Sequence, residues 1–352
     1  RLDLARASLR RALEKHPDIP KDGIALRKFG QQAIERLAGE RIHPSWTVPG
    51  GVNKPLDVEA RDTILSELPL ARSILRRTVK RFKGMLDGFD EEIAHFGTAP
   101  TMYAGLVSPD GALRLYDGVL RMKDAAGAVV ANVVDPLGYA DVIGEAALAD
   151  SYLKAPYYKP SGYPEGIYRV GPLGRLNVAD RCGTEDADVE FAEYHQRFGP
   201  VVESSFNFHY ARLIEATYAL ERMEQLLQDP DILSTHVRAT ADVNALEGVG
   251  IIEAPRGTLI HHYKVDERGA ITYANLIVAT GHNNLAIGKS VEQVSKRFVD
   301  GAKLQEGMLN RVQAVVRAYD PCLSCSTHAS GVPQVQVDLV ASDGTVLDTV
   351  RS

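Results

Sequence analysis

Long apolar runs are missing from this chain of 352 residues. None reaches the roughly 18 residues that a membrane-crossing helix needs. An excess of positive charge is missing too. The formal net charge is -6, which leaves no basic stripe and argues against nucleic acid as a partner. Cysteine is scarce, with three in all. That is too few for a disulfide framework in a chain this size, so a reducing compartment is expected. No secretory leader pattern opens the sequence. It begins at Arg1, already inside a helical pattern, so the natural N-terminus is expected to lie upstream. What remains is an ordinary balance, 45% hydrophobic and 24% charged, sufficient for a large core in one domain or two.

The apolar residues are spaced for helices. Leu2 to His16 and Gly23 to Glu40 carry the three-to-four-residue period, and a longer stripe runs from Asp57 to Phe96 through Ile64, Leu68, Ala71, Leu75, Val79, Phe82, Leu86, Phe89 and Ile93. As one helix, bent at Pro69, that stretch would be about 60 Å long. A second long helix is expected from Asp186 to Gln228, kinked at Pro200, and a last one from Ser290 to Ala318. Between them lie shorter alternating segments from Met102 to Val134, with "SPDG" and "KDAAG" as turns. "GTLIHHYKVDERGAITYANLIVAT" reads as two strands joined at Asp266 to Gly269. The expected fold class is α+β and mostly α: a bundle of long helices with small attached sheets, β-rich near 99–182 and 251–280.

The chemistry concentrates in "DPCLSCSTHAS", residues 320 to 330. Cys322 and Cys325 are three apart, so two thiolates can grip one soft or borderline ion such as zinc, copper(I), nickel or iron. His328 can be a third ligand. Plainer readings exist. A thioredoxin-like redox pair would open a helix, but Gly331 and Pro333 break one here. A structural zinc site would need four ligands and only Cys182 remains as a thiol. Two ordinary buried cysteines are the third reading. Four further stretches are rich in Gly, Pro and polar residues: "RIHPSWTVPGGV" (41–52), "GPLGRLN" (171–177), "EAPRG" (253–257) and "TGHNNLAIGKSV" (280–291). Each alone reads as a surface loop. Together with the terminal pattern they form a constellation.

In that constellation the chain resembles the large subunit of nickel–iron hydrogenases. "DPCLSCSTHA", "EAPRG", "GPLGRLN" and the "IHPxWxxPGG" form match the family's motifs in order, over nearly the whole chain. The variants are most similar to the cytoplasmic, cofactor-coupled, NAD-linked bidirectional type. The resemblance implies roles. Cys322 would bind nickel terminally and Cys325 would bridge nickel and iron. Pro255 and Arg256 would contact the cofactor, with the guanidinium over the open bridging position. A guanidinium is a fixed cation that does not lose its proton. Asp320 would partner Arg256. His328 would be the last residue of the mature chain and would bind a structural magnesium. The iron would carry carbon monoxide and cyanide. The implied reaction is heterolytic cleavage or formation of dihydrogen.

The family also needs an N-terminal CxxC, which supplies two more thiolates, and this chain has none. Cys182 follows the second motif and has no partner cysteine nearby. A truncated large subunit, inactive alone, is therefore expected. Two alternatives stay open: a non-catalytic relative of the kind found in respiratory complex I, and a plain zinc protein. The implied partners are an iron–sulfur small subunit, since cluster binding needs about four cysteines of its own, then a flavin-containing diaphorase, nickel chaperones and a maturation protease. That protease would cut at His328–Ala329 and remove Ala329 to Ser352, a tail expected to form a hairpin around "ASDG".

Overall fold

The computed structural model describes residues 16–149, 151, 153–240, 245–299, 301, 304, 306–323 and 336–351. The expected helix at Leu2 to His16, as well as Cys325 and His328, lie outside them. In chain order the elements begin with helix α1 (Asp18–Ala38), strands β1 (Thr47–Val48) and β2 (Gly51–Val52), and helix α2 (Val58–Leu86). Strands β3 (Met102–Val107), β4 (Val119–Lys123), β5 (Val129–Val133), β6 (Ile143–Ala146), β7 (Ala155–Tyr158) and β8 (Tyr168–Arg169) follow. Next are helices α3 (Gly171–Val178), α4 (Glu185–Phe198) and α5 (Phe208–Gln228). The chain continues with strands β9 (Glu247–Ala254), β10 (Gly257–Val265) and β11 (Ile271–Ile277), helices α6 (Asn284–Phe298) and α7 (Glu306–Ala318), and strands β12 (Gln336–Val340) and β13 (Val346–Arg351). The α+β class, with long helices and small sheets, is the one expected.

Two compact units divide these elements. The first is Arg1–Gly88, Thr184–Ala187 and Leu213–Asn244. Its α2 starts where the Asp57 carboxylate accepts the Ala60 N–H, at 2.7 Å, satisfying an orphan donor of the first turn. The stripe Ile64, Leu68, Ala71, Leu75, Val79 and Leu86 is buried as its spacing requires, and α1 packs on α2. Asp22 of α1 accepts from Arg77 and Arg81 of α2, at 2.8 and 2.9 Å. Pro69 lies inside the helix. The single helix to Phe96 is not formed, however. The helix stops at Leu86, Gly88 takes φ 89°, and Phe89 is exposed. Glu221 accepts the Asp186 and Ala187 N–H groups, at 2.9 and 3.1 Å. A carboxylate there suits the positive end of α4.

The second unit is Phe89–Gly183, Asp188–Arg212 and Ala245–Ser352. One sheet has the order β5-β4-β3-β8, with β3 antiparallel to β4 and parallel to β8. Every residue of β3 is buried. A second sheet has the order β11-β10-β9, antiparallel throughout. Leu106, Leu120, Met122, Tyr168, Ile260 and Ile277 share one core. Phe96, Val294 and Val315 form another, with α6 and α7 around it.

Three expectations fail for local reasons. The helix expected over 186–228 is interrupted after Phe198, where Gly199 takes φ 93° and Pro200 follows. The helix expected over 290–318 is two helices, and the first begins earlier, at Asn284. "GPLGRLN" is not a loop. It is helix α3, with Gly171 at φ 83° turning the chain and Pro172 in the first turn, where its missing N–H costs nothing. The hairpin expected in the tail is present as β12 and β13, closed by Gly344 at φ 88°.

Candidate metal centre

Pro255 and Arg256 are the two-residue turn that joins β9 to β10. A tight turn holds its side chain only as firmly as its own backbone is held. Here the backbone is clamped. Arg175 of α3 donates to the Glu253 carboxylate at 2.6 Å, with side-chain exposures of 1% and 0%. It also donates to the carbonyls of Ala254 at 2.9 Å and Pro255 at 3.2 Å. Glu253 receives Thr258 Oγ1 at 2.8 Å and the Leu106 N–H at 3.1 Å. Both charges therefore have several partners, the condition under which a buried pair is tolerable.

Two glycines let α3 approach the turn. A Cβ on Gly171 would sit 2.7 Å from the Arg256 carbonyl oxygen, and one on Gly257 would sit 2.2 Å from Val170 Cγ2. Both have positive φ, 83° and 139°, a region that L side chains rarely adopt. The Gly-rich patterns at 171 and 257 are thus two halves of one contact.

The terminal segment meets this turn. Arg256 Nε donates to the Asp320 carbonyl at 2.6 Å and lies 3.4 Å from its carboxylate. Asp320 takes φ 52°, tolerated by aspartate better than by bulkier side chains. Two residues on, the Cys322 N–H donates to Thr280 Oγ1 at 3.1 Å. Thr280 belongs to the helical turn Ala279–His282. Asn283, beside it, accepts the Val170 N–H at 2.9 Å. His282 is buried, and its Nδ1 pairs with the Tyr168 hydroxyl. The Ile277 carbonyl partly opposes the effect of burial on the ring. Desolvation drives the His282 pKa down from 6.5 to about 4, so the ring is neutral near pH 7.

The structure therefore brings together Pro255, Arg256, Asp320 and Cys322, with "GPLGRLN" and "TGHNN" packed around them. Among the described residues no group of three His, Cys, Asp or Glu side chains gathers as a metal site; Cys325 and His328 are outside that set. What is present fits a soft-metal centre: a sulfur two residues from a carboxylate, which faces a cation that cannot lose its proton. "RIHPSWTVPGGV" belongs to the first unit, where β1 and β2 pair. Sequence reasoning missed Arg175, Glu253 and Thr280 as supports. Arg175 and Glu253 had a signal, since each is a charged residue inside a Gly/Pro-rich motif.

Comparison with known proteins agrees with this geometry. The nickel-dependent hydrogenase family matches residues 131–328, more than half of the chain. The matching chain of the F420-non-reducing hydrogenase vhc of Methanococcus voltae is 38% identical over 339 residues, 95% of this chain and 71% of that protein. The beta subunit of the NAD-reducing hydrogenase HoxS of Cupriavidus necator is 36% identical over 346 residues, 96% and 71%. The crystal structure of an NAD+-reducing [NiFe]-hydrogenase in the H2-reduced state superposes with a TM-score of 0.86 at 42% identity, covering 90% of this chain and 70% of that one.

The chain thus belongs to the nickel-dependent hydrogenase family. It is a large, catalytic subunit of a nickel–iron hydrogenase, an oxidoreductase acting on hydrogen. The complex I-like and plain zinc alternatives are not favoured.

Proposed function

We propose that Cys322 and Cys325 would supply two thiolates of the nickel–iron centre, and that Pro255, Arg256 and Asp320 would form the wall beside it. The observation that carries this reading is the 2.6 Å bond from Arg256 to the carbonyl of Asp320, two residues before Cys322. When bound, the centre supplies the two-electron acceptor for heterolytic cleavage of dihydrogen. The chain's own part is orientation and charge. Arg256 keeps a fixed positive charge over the reacting position, its fork aimed by the Asp320 carbonyl and carboxylate. The clamp of Arg175 and Glu253 keeps that guanidinium from drifting.

The remaining cysteine, Cys182, is a buried core residue and is not assigned to this centre. Carbon monoxide and cyanide on the iron, and a magnesium held by His328, complete the site. An iron–sulfur small subunit takes the electrons, and a flavin diaphorase passes them to NAD. Relatives named NAD-reducing and F420-non-reducing are similar to this chain to nearly the same degree, so the acceptor is settled by assaying NAD+ reduction by hydrogen in the assembled enzyme. Nickel chaperones load the site. A cytoplasmic location goes with this reading.

In the complete enzyme, Cys322→Ala and Cys325→Ala each abolish nickel retention and hydrogen turnover, since no nearby thiolate substitutes. Stoichiometric nickel and normal turnover in either variant would refute the assignment. The tail from Ala329 to Ser352 is removed after His328 once nickel is in place. Intact-mass measurement on active enzyme checks this: a mature large subunit that still ends at Ser352 rules the processing out.

A further inference from the structure

The stretch 318–322 is gripped at four points by side chains from outside it. Arg212 donates to the Ala318 carbonyl at 3.1 Å. Arg256 holds the Asp320 carbonyl at 2.6 Å and Thr280 the Cys322 amide at 3.1 Å. The fourth grip is a knot of hydroxyls. Tyr319, 2% exposed, has its ring 4.5 Å from that of Phe208. Its hydroxyl lies 2.8 Å from Ser290 Oγ, 3.2 Å from Ser205 Oγ and 3.3 Å from the Ala286 carbonyl.

Both serines are fully buried, and both reach the Gly97 carbonyl, at 2.8 and 3.1 Å. Arg169, also fully buried, donates to the same oxygen at 3.2 Å. One proton assignment satisfies the three hydroxyls: Tyr319 donates to Ala286, Ser290 to Tyr319, and Ser205 to Gly97. Removing the Tyr319 hydroxyl takes one partner from each serine and one donor from the Ala286 carbonyl. Gly97, at φ 62°, has no room for a Cβ, which would meet Val315 Cγ2 at 2.5 Å. The knot is built, and it stands one residue before Asp320.

We propose that Tyr319 and Thr280 are positioning residues that set the height of Asp320 and the direction of Cys322 before any metal binds. The proposal rests on the reading of Cys322 as a nickel ligand, yet it concerns the metal-free chain. A segment preset in this way presents its first sulfur to an incoming metal without first losing backbone freedom, which lowers the ordering cost of assembly.

The test is amide hydrogen exchange on the whole metal-free chain under reducing conditions, followed in peptides covering 318–323 and, as a control, α2. Thr280→Val, nearly isosteric but without the acceptor, raises exchange in 318–323 by about fivefold, the scale of one lost neutral hydrogen bond, and leaves α2 unchanged. Thr280→Ser keeps the acceptor and stays at the parent rate. Tyr319→Phe keeps the ring and raises exchange on the same peptides. Parent-level exchange in both Thr280→Val and Tyr319→Phe overturns the proposal, as does a parent segment already unprotected. If Tyr319→Phe disturbs the whole fold, the valine and serine pair at 280 still decides. A second readout uses the loaded enzyme. Thr280→Val retains nickel but shifts the nickel magnetic-resonance signature, and an unchanged signature counts against the proposal. Failure of the nickel assignment itself would appear in Cys322→Ala, which these measurements do not involve.

Discussion

The turn that carries Arg256 and the segment that carries Cys322 meet at one hydrogen bond, yet they are held by different chemistry. The turn is fixed by charge without water: a buried guanidinium and carboxylate, with two glycines that let the backbones touch. The segment is fixed by single bonds: Arg256 and Arg212 donate to its carbonyls, and Thr280 and Tyr319 add neutral bonds. A buried ion pair cannot be loosened in steps, because each half charge left alone costs several kcal/mol. Neutral bonds near 1 kcal/mol each can be exchanged one at a time. The permanent wall of the site is thus built rigidly, whereas the part that must accept metal is built from replaceable contacts.

The comparison breaks most visibly at Arg175. Arg175→Met leaves the Glu253 carboxylate buried without its charged partner, while Thr258 and the Leu106 amide still donate to it. Unfolding free energy should fall by about 3–5 kcal/mol. Denaturant titration measures it. Pairing the change with Glu253→Gln removes the stranded charge and should restore part of the loss, in a non-additive cycle. A loss below about 1 kcal/mol for Arg175→Met would mean that water reaches the pair and the clamp is not dry.

Arg256 sharpens the contrast, since it is the half-buried arginine of the same turn, with a side-chain exposure of 38%. Arg256→Lys keeps the charge and loses the planar fork. Stability should change by no more than about 0.5 kcal/mol, as at other surface positions. Turnover in the complete enzyme should nevertheless fall at least roughly tenfold, about 1.4 kcal/mol of barrier, with nickel content intact. An arginine that merely caps a solvated turn would leave turnover unchanged, so hydrogen uptake measured beside nickel content separates the two roles.

How much of the fold and site is readable from sequence follows from what each residue can do. Cys322 stood out because few residue types bind a soft metal, while Arg256 and Asp320 were singled out by the resemblance of their motifs; the three lie close together in the fold. The strands at 257–265 and 271–277 were legible from alternation and from the "DERG" turn. The helix ends were not. The apolar period continues through Gly88 to Phe89 and Ile93, so periodicity alone carried the helix across a glycine that ends it. "GPLGRLN" looked like a loop because Gly and Pro usually break helices, but Pro172 at the start of α3 is where proline is welcome. Thr280 and Tyr319 carry no local signal. A lone hydroxyl gains its role only when the fold brings a distant amide or serine to it, here 42 and 29 residues away in sequence.

The smallest expected effect concerns His282, which lies beneath the replaceable contacts near Thr280. Burial lowers its folded pKa from 6.5 to about 4. A group with a depressed folded pKa contributes stability that is present above the unfolded value and is lost as the pH falls toward the folded one. Between pH 7.5 and 5.5 the unfolded histidine takes up a proton that the folded one refuses. The loss over that window is about 1 kcal/mol from this ring alone. His195 and His209 are also lowered by burial and add in the same direction, so the wild-type slope by itself does not isolate His282. His282→Gln does: it keeps a polar partner for Tyr168 but does not titrate. Its stability should fall less steeply than the parent's over this range, with the difference near 1 kcal/mol at pH 5.5. Identical slopes would mean that the ring is hydrated or already protonated in the folded chain, and the support beneath Thr280 would then be a wet contact.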